Sequence, residues 1–351
     1  MVGRNKVFSK TLIVLLVAVF ATLSVAALPA FSAQKVYKWR MQSSDSAAML
    51  PLSLVQPDFI DKVKKMSNGR IDITLYSAGQ LVPSLEVANA LKAGMIDIAY
   101  SAGAYFMGKI PEAGLEYNAL PPALLRTQQD LVEVYWNRGL DKIIREGYAK
   151  KGVYYLGSFM EGDANTHWSK QPVKNAAALK GYKIRGYGYA NKTFQKLGAS
   201  PTFVPLEEGY SALAQGVIDG YYTGTKHYYS SKMYEVAPYY HLPGWNPVVA
   251  QCILVSMDVW KKLPSDLQAI LQEALISFSA NHFSKVNELY RQLLMKFPKI
   301  GVKIVRWNDA DMEKVKEAAI SLLPEIAKKS ELNAKGVKIL TDYMKEMGYM
   351  K

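Results

Sequence analysis

Cysteine is almost absent: Cys252 is the only one in 351 residues. One thiol closes no internal disulfide and supplies no cysteine-based zinc site. Histidine is nearly as scarce. The four, His167, His227, His241 and His282, never take the H-x-x-x-H spacing that puts two imidazoles on one helix face. No G-x-S-x-G elbow occurs, so the α/β-hydrolase nucleophile is missing. No acid and base can be paired for catalysis. The expectation is therefore a protein that is not an enzyme, with no cofactor and no metal site. Acidic residues are also in deficit, 30 against 43 Lys plus Arg, for a net charge of +13. The basic residues are scattered rather than run together, so no nucleic-acid partner is expected. Weak steering of a small anion suits such a surface better.

Charge disappears altogether between residues 11 and 34. Arg4, Lys6 and Lys10 precede this stretch, LIVLLVAVF opens it, and Ser24, Ala26 and Ala27 follow. That order is the pattern of an export signal. Residues 1–33 are expected to be the signal, cleaved after Ala26, Ala27 or Ala33. The alternative is an uncleaved anchor, since the run is long enough to span a bilayer. Thr22, Ser24 and Pro29 weaken that alternative. No cysteine follows the run, which excludes a lipid anchor there. Removing the signal takes away three positive charges and leaves 40 − 30 = +10. Export without disulfides points to a bacterial periplasm.

Downstream, the hydrophobic pattern switches repeatedly between periods of two and 3.6. Strands are expected at 37–44, 71–79, 95–101 and 153–159, with helices over 54–69, 84–93 and 127–151. Alternation of this kind implies parallel pairing in an α/β layer. Residues 161–175, EGDANTHWSKQPVKN, are polar and turn-rich and are the expected crossing into a second lobe. There, strands are expected at 181–186, 201–205 and 217–223, and helices at 189–197 and 207–215. PSDLQAILQEALISFSANHFSKVNELYRQLLMKF (264–297) keeps helical spacing for about 50 Å at the standard rise, long enough to lie along both lobes. Two shorter helices broken near Asn281 are the alternative. GVKIVRW (301–307) reads as a further strand, and the tail as amphipathic helix.

One sentence is written twice. ALKAGMIDIAYS (90–101) and ALAQGVIDGYYT (212–223) share Ala-Leu, a Gly, Ile-Asp, a Tyr and a small hydroxyl residue. Each reads as a helix, a glycine stop and a strand. Two such lobes, with their strand ends facing, make a cleft of the kind that holds ligands in open α/β sheets.

Two glycine-rich turns fall short of nucleotide sites. In GYGYAN (186–191) Asn191 stands where a third glycine belongs, and GYYTGTK (220–226) lacks the phosphate-loop spacing. Arg185, at the end of the strand GYKIR, is the candidate of most interest. Its guanidinium is a rigid fork that fits a carboxylate or sulfonate with two hydrogen bonds; a surface ion pair is the alternative. Aromatic residues crowd the same region, and Tyr187, Tyr222 and Trp245 are candidate pocket walls.

SKQPVKNAAALKGYKIRGYG resembles the segment that introduces the ligand arginine in solute-binding receptors of tripartite ATP-independent periplasmic (TRAP) transporters, of the dicarboxylate and α-keto-acid type. Leu179, Lys180, Gly181, Lys183, Ile184 and Arg185 fit the family pattern, and Ala178 replaces its usual Asp. LGASPTFVPLEEGYSALAQGVIDG, LEVANALKAGMIDIAYSAGAYFMGKIPE and VAPYYHLPGW extend the resemblance over most of the chain.

The resemblance implies a two-lobed periplasmic-binding-protein fold with a cleft between the lobes and a long helix spanning both. The expected layout is lobe I at 34–160, with part of 250–300 returning to it, and lobe II at 161–249. The inter-lobe helix follows at 264–298, then a C-terminal strand and helices at 299–351. It implies a receptor that closes on a small organic anion and docks on membrane permease subunits. By position Arg185 becomes the carboxylate clamp, Tyr105 a first-lobe contact, and Asn165 and Trp168 the lining of the cleft. A sulfonate, or an aromatic acid stacked on Tyr222, also fits. Tyr221-Tyr222-Thr223 replaces the stretch in which some relatives carry a cation-holding Glu, so no metal-bridged ligand is expected. An ABC-type or sensor receptor is the alternative, and a periplasmic enzyme on the same scaffold a further one.

Overall fold

The structure, a computed structural model, describes residues 34–350; the expected export signal lies outside the described residues. The compact unit from Tyr37 onward contains two sheets. The strands in chain order are β1 (Tyr37–Ser43), β2 (Ile71–Tyr76), β3 (Ile98–Ser101), β4 (Val153–Glu161), β5 (Asn165–Ser169), β6 (Lys183–Arg185), β7 (Ser200–Thr202), β8 (Gly220–Gly224), β9 (Tyr239–Leu242), β10 (Val249–Ser256) and β11 (Lys303–Arg306). The first sheet has the order β2-β1-β3-β10-β4 and the second β11-β9-β5-β8-β6-β7. β1 runs parallel to β2 and β3, and β6 parallel to β7 and β8. β10 is antiparallel to both of its neighbours, so the chain returns to the first sheet after building most of the second. The result is a mixed α/β fold of two lobes.

The duplicated sentence has a duplicated structure. Gly94 and Gly216 take φ of 70° and 74°, a left-handed conformation glycine adopts without a Cβ penalty. Met95 N donates to Ala90 O at 2.9 Å and Val217 N to Ala212 O at 3.0 Å, the 6→1 closure of a helix end. The next turn engages a parallel neighbour strand in each lobe, β1 and β6: Asp97 N donates to Arg40 O and Asp219 N to Lys183 O. β3 and β8 leave these points toward the same gap.

Several local expectations are corrected. The helix over 127–151 is broken at Gly139 (φ 78°), and only Leu140–Ala149 is regular at its end. The turn-rich stretch 161–175 hides a strand, β5, because Asn165–Ser169 is wholly buried between β8 and β9. β9 was not anticipated.

The stretch 264–297 is one uninterrupted helix, Ser265–Lys296, and the two-helix alternative fails. Leu267, Leu271, Ala274, Leu275 and Phe278 pack with Trp39, Met41 and Phe59 of the first lobe. Leu293 packs with Trp168, Tyr228 and Tyr240 of the second. Between these patches the helix meets the crossing strand. Ser279 Oγ accepts from Met160 N at 3.0 Å, and Asn287 Nδ2 donates to Gly162 O at 3.2 Å. A Cβ on Gly162 would collide with the Phe283 carbonyl oxygen and the Asn287 amide. Gly162→Ala is therefore expected to cost about 1–3 kcal/mol, read from the urea midpoint. An unchanged midpoint would mean that the helix yields freely here.

Candidate functional site

The carboxyl ends of the strands converge on one cavity. Ser44 and Asp45 follow β1, Ala102 follows β3, Glu161 ends β4, Arg185 ends β6, and Thr223 lies near the end of β8; all line the cavity, which holds about 570 Å³ with its mouth counted. This is the position in which open α/β sheets bind ligands. Tyr105 of the first lobe, in the cavity wall, meets Phe203 of the second edge-on at 6.2 Å.

Arg185 is 1% exposed. Its Nε donates to Val204 O at 2.8 Å and its Nη1 to Tyr222 O at 3.1 Å. Two backbone carbonyls thus fix the guanidinium plane. The rings of Tyr221 and Tyr187 lie 4.6 and 5.1 Å from Cζ, which stabilises the cation further. Among the described residues no carboxylate pairs with it, so the surface ion-pair alternative fails. A head held in one plane, with donors to spare, suits a planar two-oxygen anion.

Three other candidates join Arg185 in the wall: Asn165, Tyr105 and Tyr187. Asn165 Nδ2 donates to the Tyr187 hydroxyl at 2.5 Å, which ties the crossing strand to the turn after β6. The remaining three are placed elsewhere. Trp168 is fully buried and stacks on Tyr221 with centroids 5.5 Å apart. Tyr222 packs against Phe194 at 5.5 Å, and Trp245 against Phe194 at 4.4 Å. Side chains alternate across a strand, so with Thr223 on the cavity the Tyr222 ring points into the second lobe's core. Tyr222 serves the site with its carbonyl, and its ring cannot stack on a solute in this state.

Sequence reasoning missed a buried charge array beside Arg185. Glu161 Oε1 accepts from the Tyr100 hydroxyl at 2.6 Å and from Lys226 Nζ at 3.2 Å, and His282 Nε2 lies 3.3 Å away. Burial pushes Glu161 up, but Lys226, His282 and Tyr100 outweigh it and hold the carboxyl well below the usual range. Burial opposes the charge on Lys226, and Glu161, Asp45 and Asp163 more than restore it. Asp163 accepts from Ala164 N and Lys226 N, both at 2.8 Å; burial still raises it to about 6. Burial, with Arg185 and Lys226 nearby, lowers His227 to about 3, so its imidazole is neutral. No spacing in the sequence announces this array, because its members come from the ends of β1, β3 and β4, the crossing, the helix Thr225–Ser230 and the long helix. Among the described residues no group of three His, Cys, Asp or Glu side chains is placed to hold a metal ion.

The model of the bacterial extracellular solute-binding proteins, family 7, matches residues 53–330. The chain belongs to this family. A relative from Nostoc sp., a monocarboxylate 2-oxoacid-binding periplasmic protein, is 28% identical over 294 residues, covering 83% of this chain and 80% of that protein. A TRAP solute-binding protein from Chromohalobacter salexigens, solved with (S)-(+)-2-amino-1-propanol, superposes with a TM-score of 0.80 at 26% identity and covers 90% of this chain and 97% of its own. Another from Pseudoalteromonas atlantica, solved with sodium and pyruvate, gives a TM-score of 0.81 at 25% identity, with coverages of 90% and 96%. The fold and receptor type that the family members share are those of this chain.

The Lys226–Glu161 pair permits a direct check. Breaking one partner of a buried pair typically costs about 3–5 kcal/mol. Lys226→Met should lose stability on that scale, and Glu161→Gln in the same chain should return most of it. A double variant no better than the single one, in chemical denaturation, would show that the pair is not the dominant contact.

Proposed function

We propose that this chain is the solute receptor of a TRAP transporter and works outside the cytoplasmic membrane. It binds a small organic acid, holds the carboxylate or sulfonate on Arg185, closes its lobes, and delivers the solute to a membrane permease. The observation that carries this reading is the guanidinium itself: buried, held flat by two carbonyls, and facing the gap between the strand ends of two lobes. The relatives support the class of solute, with a 2-oxoacid named for the Nostoc protein and pyruvate bound in the Pseudoalteromonas structure.

The proposed mechanism is a shift of population. First-lobe groups near Asp45 and Tyr105, and second-lobe groups around Arg185, touch one solute together only when the lobes are closed. The solute then favours the closed state by its differential affinity for that state. The chain carries no catalysis in this reading, and the permease recognises the closed form.

Calorimetric titration with carboxylates and sulfonates tests the proposal. Two charge-assisted bonds at about 1.5–3 kcal/mol each imply that Arg185→Ala weakens binding at least ~100-fold. Arg185→Lys keeps the charge, loses the fork, and should recover only part of the affinity. The Ala variant leaves the carbonyls of Val204 and Tyr222 unpaired, so its unfolding transition should fall modestly while remaining cooperative. Unchanged affinity in both variants would remove Arg185 from the solute site and overturn the reading.

A further inference from the structure

We propose that the solute is dipolar, an organic acid that also carries an ammonium or comparable N–H donor group, with its acid on Arg185 and its nitrogen on Asp45. The inference rests on the reading above that this cavity is the solute site. It is carried by the unmatched polarity of the first-lobe wall.

Asp45 lies just beyond the end of β1 and is 0% exposed. Neither of its carboxylate oxygens accepts a hydrogen bond among the described residues. Lys226 acts on this carboxylate through space, but among the described residues no nearby donor is placed to hydrogen-bond either oxygen. Tyr100 gives its one hydroxyl proton to Glu161, and Lys226 Nζ donates to the same oxygen. Asp163 has two backbone N–H donors of its own. Lys226 is shared among Glu161, Asp45 and Asp163, so this wall holds more acid than base, and Asp45 is the one of the three whose oxygens accept no hydrogen bond; across the gap Arg185 is a base without an acid. Burial raises Asp45 to about 6, and Lys226 only partly opposes that rise; a buried carboxylate that accepts no hydrogen bond is costly, and here it faces a cavity made for a solute.

Neighbouring acceptors share the same lack. Asn118 Oδ1 and Gln251 Oε1 on the first-lobe side are buried atoms without a donor, on side chains that line the same cavity. Asn118 cannot exchange its amide ends, because its Nδ2 donates to Ala250 O at 2.9 Å and a carbonyl oxygen only accepts. This wall therefore offers lone pairs. A plain oxo acid brings only further acceptors, whereas a primary ammonium brings three N–H donors. A solute with opposite charges at its two ends would also be held by both lobes, one end on each.

The test uses pairs matched in carbon skeleton: pyruvate with alanine, 2-oxoisovalerate with valine, 2-oxoglutarate with glutamate and phenylpyruvate with phenylalanine. Each is titrated calorimetrically into the wild-type chain, Asp45→Asn and Arg185→Ala, with EDTA and again with added sodium or calcium. The expected result is a pair in which the amino acid binds at least tenfold more tightly with EDTA present. Asp45→Asn should weaken the amino acid at least tenfold and so erase that preference, and it should not weaken the oxo acid, from whose site it removes a like charge. With no ligand, Asp45→Asn should melt no lower than wild type, since it removes a buried charge that accepts no hydrogen bond and leaves Glu161 and Asp163 to serve Lys226. The proposal is overturned if oxo acids bind as tightly as their partners or more so, if no amino acid binds, or if the preference survives in Asp45→Asn. An Asp45 effect seen only with added cation overturns it too, because a metal ion would then be the partner of the carboxylate. Binding that ignores Arg185→Ala is the separate outcome that removes the receptor reading itself.

Discussion

The two lobes are joined at their centre by a buried ion pair. Glu161 ends a strand of the first sheet, and Lys226 stands on the helix that follows a strand of the second. Both charges are almost wholly out of water, so neither side chain tolerates solitude. The pair fixes where the first sheet ends relative to the second, and the long helix lies across it with His282 against the same carboxylate. Gly162, immediately after Glu161, lets that helix approach closely enough to do so. The site is therefore built on the most constrained part of the molecule, not on a free loop.

From that junction outward, backbone geometry aims the functional groups. Arg185 is presented by a three-residue strand, and its orientation comes from carbonyls on two different neighbours, Val204 and Tyr222. A long side chain loses substantial entropy when held still, and here protein–protein hydrogen bonds offset that loss before any solute arrives. What remains for a solute is the favourable part of the interaction. The helix endings at Gly94 and Gly216 do the same work at a coarser scale, setting the directions of β3 and β8 toward a shared gap.

The parts of this design that are local were legible in the sequence. Glycine stops, alternating strands and the uninterrupted apolar spacing of 264–297 each depend on neighbours within a few positions. Arg185 was legible because strand ends face the cleft in this kind of sheet. The aromatic candidates divide on a point of parity. Tyr187 follows the strand end and reaches the cavity, while Trp168 and Tyr222 turn into the core, and a strand mis-phased by one residue reverses that outcome; Trp245, in the connection between β9 and β10, is buried with Phe194. Asp45, Glu161, Asp163 and Lys226 were illegible for a different reason. They lie up to 181 positions apart (226 − 45) and share no motif, so only the fold brings them together. The resemblance to known receptors pointed at the arginine and was silent on these acids.

The near-complete covering of Arg185 has a kinetic meaning. In this shape the guanidinium offers almost no surface to bulk water, so a solute of any size meets it only through a narrow approach. Widening that approach takes a rearrangement of the protein. At high solute concentration the observed loading rate should then level off at the frequency of that rearrangement, whatever compound is supplied.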